Sequence, residues 1–122
     1  MALLGSYNGA KTYTNATDYG IADNATVESS IAVSGRSGNA PANALVSVNI
    51  KHTYKGDLKV DLVSPRGIVI NLHDRTGGSE DNLIASFSRN LSAEPLNGTW
   101  KLRVNDNAGG DVGKIDYWQL SF

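Results

Sequence analysis

The stretch from His52 to Gly67, HTYKGDLKVDLVSPRG, brings a histidine, two aspartates and a serine close together in the chain. These are the residue types of a hydrolase. A Ser-His-Asp centre needs its three side chains to meet in space, with the nucleophile on a strained turn and oxyanion donors beside it. The rest of the sequence does not supply that context. There are only two histidines, His52 and His73, and neither G-x-S-x-G nor H-E-x-x-H occurs. His52 falls on the apolar side of an alternating segment, near its end, and reads as a hydrogen-bonded strand-end histidine. His73 falls on a polar face. Asp57 and Asp61 have the even spacing that puts both on one side of a strand, unless the turn takes up one of them. A glycosidase would need two carboxylates facing each other across a cleft, which spacing alone does not establish. The stretch reads as structure, without independent catalysis.

Metal binding is the stronger chemical candidate. Two glycine-rich loops carry carboxylates: HDRTGGSEDN with Asp74, Glu80 and Asp81, and NDNAGGDVG with Asp106, Asn107 and Asp111. Asp18 and Asp23 lie near one another upstream. Hard oxygen ligands on loops suit calcium. The second loop lacks the 1-3-5 acidic run and the distal glutamate of an EF-hand, and Asp and Asn also form turns for their own backbone reasons. Calcium ligation and turn formation therefore stand side by side. Sugar binding is a third class. It would need exposed aromatics, but Trp100 and Trp118 fall on inward faces, which leaves Tyr7, Tyr13 and Tyr19. N-glycosylation sequons at Asn15, Asn24, Asn90 and Asn97 matter only in a eukaryotic secretory pathway.

The elements that must position these residues read as strands. In ALVSVNIKHTY, residues Val46, Val48, Ile50, His52 and Tyr54 alternate with Ser47, Asn49, Lys51 and Thr53, the period of a half-buried strand. KGD reads as a tight turn with Gly56 at positive φ. LKVDLVS puts Leu58, Val60 and Leu62 inward and leaves Lys59 and Asp61 to solvent. SPRG reads as a second turn. IVINLHD follows, with Ile68, Ile70 and Leu72 on one face and Asn71 and His73 on the other. These three strands form an expected meander. LIASFS reads as a short strand, TWKLRVND as a strand with Trp100, Leu102 and Val104 inward, and KIDYWQLSF as the last strand. Its parity slips between Tyr117 and Trp118, which predicts a bulge near Asp116. TVESSIAVS reads as a further strand and TYTNATDYGIADN as extended or irregular. No segment carries a helical period. The pattern predicts an all-β sandwich of two antiparallel sheets, about seven to nine strands, with essentially no helix.

A chain of 122 residues fits one domain with its own core. Residues 1–13 read as a linker or extended N-terminal segment and 14–122 as the sandwich. Nothing at the start resembles a signal peptide. The net charge of −1 suggests neither nucleic acid nor an anionic membrane as partner, and there is no apolar run of spanning length. Cysteine is absent, which excludes a disulfide framework and thiolate chemistry. Glycine, at 13, outnumbers lysine plus arginine, at 11, as in a turn-rich β domain.

Taken together, H-T-Y-x-G-D-L, L-x-S-P-x-G, G-x-W-x-L-x-V-x-D and the W-x-L-x-F ending make the chain, from about Thr14 to Phe122, resemble the P domain, or Homo B domain, of proprotein convertases, in its bacterial form. The resemblance implies a jelly-roll-like β-sandwich. It also implies a non-catalytic role beside a secreted subtilisin-like serine protease or a metalloprotease, as a partner in the same precursor. There the domain would support folding, stability and contact with protein substrate. The alternative is an autonomous module for insoluble protein or polysaccharide. An exposed apolar patch of Leu45, Val63 or Val69 would favour the first role, and an exposed aromatic row the second. The resemblance implies an extracellular, bacterial setting and calcium as a candidate ligand. Within its motifs the acidic positions are Asp57, Asp81, Asp106 and Asp111. Asp57 and the Glu80–Asp81 loop are expected at the same end of the fold.

Overall fold

The computed structural model describes residues 11–22, 24–107 and 113–122. Nine strands run through them: β1 (Thr12–Asn15), β2 (Tyr19–Ile21), β3 (Thr26–Val33), β4 (Ala44–His52), β5 (Leu58–Val63), β6 (Val69–Asp74), β7 (Leu83–Arg89), β8 (Gly98–Asp106) and β9 (Gly113–Ser121). A single 3-10 turn, Lys55–Asp57, lies between β4 and β5. One sheet has the order β1-β9-β4-β7, with β2 also on β9. The other has the order β3-β8-β5-β6. All strand pairs are antiparallel.

Strict alternation builds the core. β4 turns Ala44, Val46, Val48, Ile50 and His52 inward, and β8 turns Trp100, Leu102, Val104 and Asp106 inward to meet them. Each large apolar side chain buried this way contributes about 1.5–3 kcal/mol. Trp100 and Trp118 are both wholly buried, and each indole N–H finds an acceptor, as burial requires. Trp100 Nε1 donates to the Leu96 carbonyl at 3.0 Å and Trp118 Nε1 to Ser29 Oγ at 2.9 Å. The parity slip in β9 is a register shift between Ile115 and Tyr117 against β4, which is the bulge expected near Asp116.

The two open sides of the sandwich are each bridged by a side chain. Asn15 on β1 donates to the Ser30 carbonyl on β3 at 2.8 Å. Arg89 on β7 donates to the Asn71 and Leu72 carbonyls on β6 at 3.2 and 3.4 Å.

At one end of the sandwich, the turn motif SPRG and the motif NGTW interlock. Ser64 Oγ donates to Glu94 Oε1 at 2.7 Å and accepts from the Arg66 and Ile68 amides. Pro65 lies against Gly98, where a Cβ would stand 2.4 Å from the Pro65 Cβ and where φ is +131°. Asn97 clasps Arg36, accepting from its amide at 2.9 Å and donating to its carbonyl.

Three sequence expectations change. First, the three strands from Ala44 to Asp74 are not a meander. β4 lies in one sheet and β5 and β6 in the other, because KGD is a 3-10 turn that carries the chain across the sandwich. Gly56 has no positive φ. Its role is close approach, since a Cβ there would meet the Gly78 carbonyl oxygen at 2.9 Å. Second, His73 is buried, at 6% exposure. The β5–β6 register shifts between Val60 and Asp61, so that Val60 pairs with His73 and Asp61 with Asn71. The extra residue, Leu72, reverses the parity and turns His73 inward. Third, Asp61 and Val63 do not face solvent freely, each being 6% exposed on a central strand. Asn71 Nδ2 covers Asp61 Oδ1 at 2.9 Å. The segment expected to be extended or irregular contains β1 and β2.

Candidate functional site

The end of the sandwich opposite the SPRG turn gathers the acidic loops. Four segments converge there: the end of β4, the 3-10 turn, the loop from Asp74 to Asn82 and the end of β8. Backbone contacts join them. The Gly56 amide donates to the Gly78 carbonyl at 2.9 Å, the Asn107 amide to the Asp57 carbonyl at 3.2 Å and the Arg75 amide to the Leu58 carbonyl at 2.8 Å. Asp57 and the Glu80–Asp81 loop thus share one end of the fold, as the sequence predicts.

At its centre is a buried pair. His52 Nε2 lies 3.0 Å from Asp106 Oδ2, with both side chains wholly buried. His52 Nδ1 accepts from the Tyr54 amide at 3.0 Å, so the neutral ring carries its proton on Nε2 and donates it to Asp106. Asn82 fixes the strand end on its other side. Its Oδ1 accepts from the His52 amide at 2.9 Å, and its own amide donates to the His52 carbonyl at 2.8 Å. Asn82 adopts a positive φ of 65°, which Asn tolerates better than most residues. Gly113, opposite His52 on β9, has no room for a side chain, because a Cβ would lie 2.3 Å from the Lys51 carbonyl oxygen.

A second anchor is Arg75, whose φ is 53°, an uncommon conformation for this residue type. Its guanidinium donates to the Asp57 carbonyl at 2.6 Å and to Asn105 Oδ1 at 2.7 Å. Asn105 Nδ2 passes the connection to Thr26 Oγ1 at 2.9 Å. Two cationic donors of one side chain therefore hold the 3-10 turn onto β8.

This arrangement immobilises. Both ring nitrogens of His52 are engaged within the protein, so it has no lone pair with which to take a proton from a substrate. Of the carboxylates expected as calcium ligands, Asp106 faces the core and His52. Asp57 is partly buried, with Arg75 on its carbonyl. Asp74, Glu80 and Asp81 are exposed, and Asp111 and Asp23 lie outside the described residues. Among the described residues no three Asp, Glu, His or Cys side chains converge on a point that could hold a metal ion. The guanidinium of Arg75 also sits where a cation near Asp57 would be repelled.

A shallow depression of about 380 Å³ adjoins the buried pair, lined by Lys51, Thr53, Asp81 and Lys114 around His52, Asn82 and Gly113. Lys114 is bound to Asp18 at 3.0 Å and lies 3.8 Å from Asp116. Its hydrogen bond to Asp18 holds the Asp18 carboxyl below the usual aspartate range and raises the Lys114 ammonium above the usual lysine range. Leu45 and Val69 are exposed, together with Ile68 and Ile84, and among the described residues Tyr54 is the most exposed of the large aromatics, at 40%. The aromatic row that a polysaccharide module would show is not present among the described residues, and both tryptophans are in the core.

Arg75, Asn82 and Asn105 were not expected from the sequence. Two of them act through backbone groups of distant segments, which leave no trace in spacing. The positive φ of Asn82 is the one local feature that a sequence pattern, Asp-Asn after a glycine-rich loop, could have suggested.

Comparison with known proteins agrees with this fold. A family model described as the proprotein convertase P-domain matches residues 41–122. The leupeptin-inactivating enzyme 1 of Streptomyces exfoliatus is 52% identical over 114 residues, which are 92% of this chain and 26% of that protein. A calcium-dependent protease of a Nostoc strain is 36% identical over 113 residues, covering 84% of this chain and 17% of that protein. The crystal structure of the serine protease of Aeromonas sobria superposes with a TM-score of 0.65 at 20% identity, over 97% of this chain and 28% of that one, and so shares the fold. The chain thus spans about a quarter or less of the curated relatives it matches. The matched model covers well over half of the sequence, and the chain belongs to the proprotein convertase P-domain family.

Proposed function

We propose that this chain is a non-catalytic accessory domain of a secreted bacterial protease, and that it supports the folding and stability of the catalytic unit in the same precursor. One observation carries the proposal: relatives match nearly all of this chain but only a small share of their own length. The geometry agrees with it. The histidine that a hydrolase would use is sealed against Asp106 and the Tyr54 amide, so the domain would act through rigidity and contact. The exposed apolar residues Ile68 and Val69, at one edge of the sandwich, suit a protein neighbour. The attached enzyme is read as a subtilisin-like serine protease or a metalloprotease.

Calcium belongs to the proposal through the Nostoc relative that is named for it. On this chain it would bind at the exposed Asp81 loop and not at Asp106, which faces His52.

The test is deletion of residues 11–122 from the precursor. The expected result is a lower yield of secreted enzyme and a shorter half-life at elevated temperature, with unchanged turnover per active site at low temperature. Unchanged yield and half-life would overturn the proposal. Sedimentation of the isolated domain with insoluble collagen or chitin would favour the autonomous binding module.

A further inference from the structure

Asn-Gly is a dipeptide prone to spontaneous deamidation, because glycine carries no side chain to shield its backbone nitrogen. The sequence holds two, Asn8–Gly9, which lies outside the described residues, and Asn97–Gly98. Asn97 is exposed to water. For it to react, the Gly98 nitrogen gives its proton to water or hydroxide and attacks Asn97 Cγ. A bond forms between that nitrogen and Cγ, the Cγ–Nδ2 bond breaks, and ammonia leaves with a proton from water. Water then opens the five-membered succinimide. Opening at the side-chain carbonyl gives aspartate. Opening at the backbone carbonyl gives isoaspartate, whose main chain is longer by a methylene. The sum is amide plus water to acid plus ammonia, with nothing oxidised or reduced.

The fold opposes each requirement. Both ends of the carboxamide are held on the Arg36 backbone, Oδ1 by its amide at 2.9 Å and Nδ2 by its carbonyl. Closing the ring turns the carboxamide and breaks both bonds. The Gly98 amide is occupied as well. The Asp106 amide donates to the Ala25 carbonyl, and the unshifted β3–β8 register runs from there to Val33 opposite Gly98. Alternate pairs of an antiparallel ladder are hydrogen-bonded, and counting from Ala25 and Asp106 makes Val33 and Gly98 such a pair. The nucleophile's proton therefore lies in the ladder. Finally, Gly98 sits at a φ of +131° with Pro65 in the space where a side chain would be, so its backbone has no room to swing.

We propose that Asn97–Gly98 is a latent self-modification site, a cyclisation held shut by the Arg36 clasp, the β3–β8 ladder and the SPRG turn. Opening of this end of the sandwich releases it, and the product does not close again. Aspartate at position 97 offers the Arg36 carbonyl an oxygen in place of a donor. Isoaspartate moves Gly98 out of its slot beside Pro65. Transient opening becomes permanent loss, which limits the lifetime of the domain whatever unit it is attached to.

The chain is incubated at mildly alkaline pH with and without unfolding guanidinium, and peptide mapping follows the amide-to-acid mass change and isoaspartate at both Asn-Gly pairs. In guanidinium the two should react within about threefold of each other, since the unfolded chain holds neither shut. In native buffer Asn97 should react at least about a hundredfold more slowly than in guanidinium, because the reaction waits for opening. Ser64 Oγ holds the turn that carries Pro65, through Glu94 and the Arg66 and Ile68 amides. Ser64→Ala should therefore speed the native rate about tenfold and leave the guanidinium rate alone; guanidinium below the unfolding transition should speed the parent in the same way. Asn97→Asp, which supplies one product directly, should melt about 4 °C below the parent. Chains carrying isoaspartate at position 97 should stay expanded on size exclusion after the guanidinium is removed. Equal native and unfolded rates at Asn97, a native rate unmoved by Ser64→Ala and by mild guanidinium, or a slow reaction at Asn97 in the unfolded chain would overturn the inference. So would isoaspartate chains that refold to the parent's melting temperature.

Discussion

Asp106→Ala removes the acceptor of a wholly buried pair and leaves the His52 Nε2 proton facing the core. The partners stand 3.0 Å apart with no exposure on either side. Leaving a buried neutral donor unpaired costs up to about 3 kcal/mol. For a domain of this size each kcal/mol moves the melting temperature by about 3–5 °C, so the expected loss is up to about 10–15 °C. Total stability at this length is of the order of 5–15 kcal/mol, so the variant should still fold in the cold. Asp106→Asn keeps a neutral acceptor at Oδ1 and should lose only about 1–2 kcal/mol. Calorimetric melts and urea titrations of the two variants and the parent measure both values. Equal losses for Ala and Asn, or a loss under 1 kcal/mol for Ala, would refute the argument from the buried pair. A calcium-dependent melt that disappears only in the Asp106 variants would make Asp106 a metal ligand instead.

Gly98→Ala forces a Cβ to within 2.4 Å of the Pro65 Cβ at a φ of +131°. Backbone strain and overpacking together predict a loss of about 4 kcal/mol, and Pro65→Gly should restore part of it in the double variant. Asp18→Asn tests the surface pair. A depressed carboxylate stabilises above its unfolded range and loses that contribution as pH falls through its folded value; a raised ammonium stabilises below its unfolded range and loses it as pH rises through its folded value. The small deficit of Asp18→Asn should therefore appear between mildly acidic and mildly basic pH, vanish in strong acid, and shrink in high salt; a deficit independent of pH would contradict the pairing. In EDTA the chain should melt cooperatively. A weak calcium site at a few times its Kd should add about 1 kcal/mol, or about 4 °C, and lose it in Asp81→Ala; unfolding in EDTA would show a metal-dependent fold.

Much of the fold was legible because alternation in β4, β8 and β9 fixes which side chains face inward. His52 shares the parity of Val46, Val48 and Ile50, so its burial follows from the sequence. The β9 bulge was legible for the same reason, since Trp118 and Leu120 could not share a face with Ile115 without one extra residue. The inward turn of His73 was not, because the bulge in β6 has a plausible unbulged alternative, with Leu72 inward and His73 outward. Nor was the crossing at KGD. A hairpin and a 3-10 crossing both want Gly56, and only the Gly78 backbone packed against it distinguishes them. At the loop end the sequence supplied the carboxylates and the shared location of Asp57 and Asp81. Arg75 escaped notice because it works on the Asp57 carbonyl and Asn105, partners set by tertiary approach. The SPRG and NGTW motifs are visible separately, and their contact at Pro65 and Gly98 is set by tertiary approach.

The most direct test uses the full precursor with Asp106→Ala in this domain, followed by protease activity at low temperature and by its half-life on heating. If the domain acts through stability alone, kcat/KM at low temperature stays that of the parent while the half-life falls in step with the domain's melting temperature. A collapse of kcat/KM in a precursor whose half-life is unchanged would place His52 and Asp106 in the chemistry and contradict the accessory role.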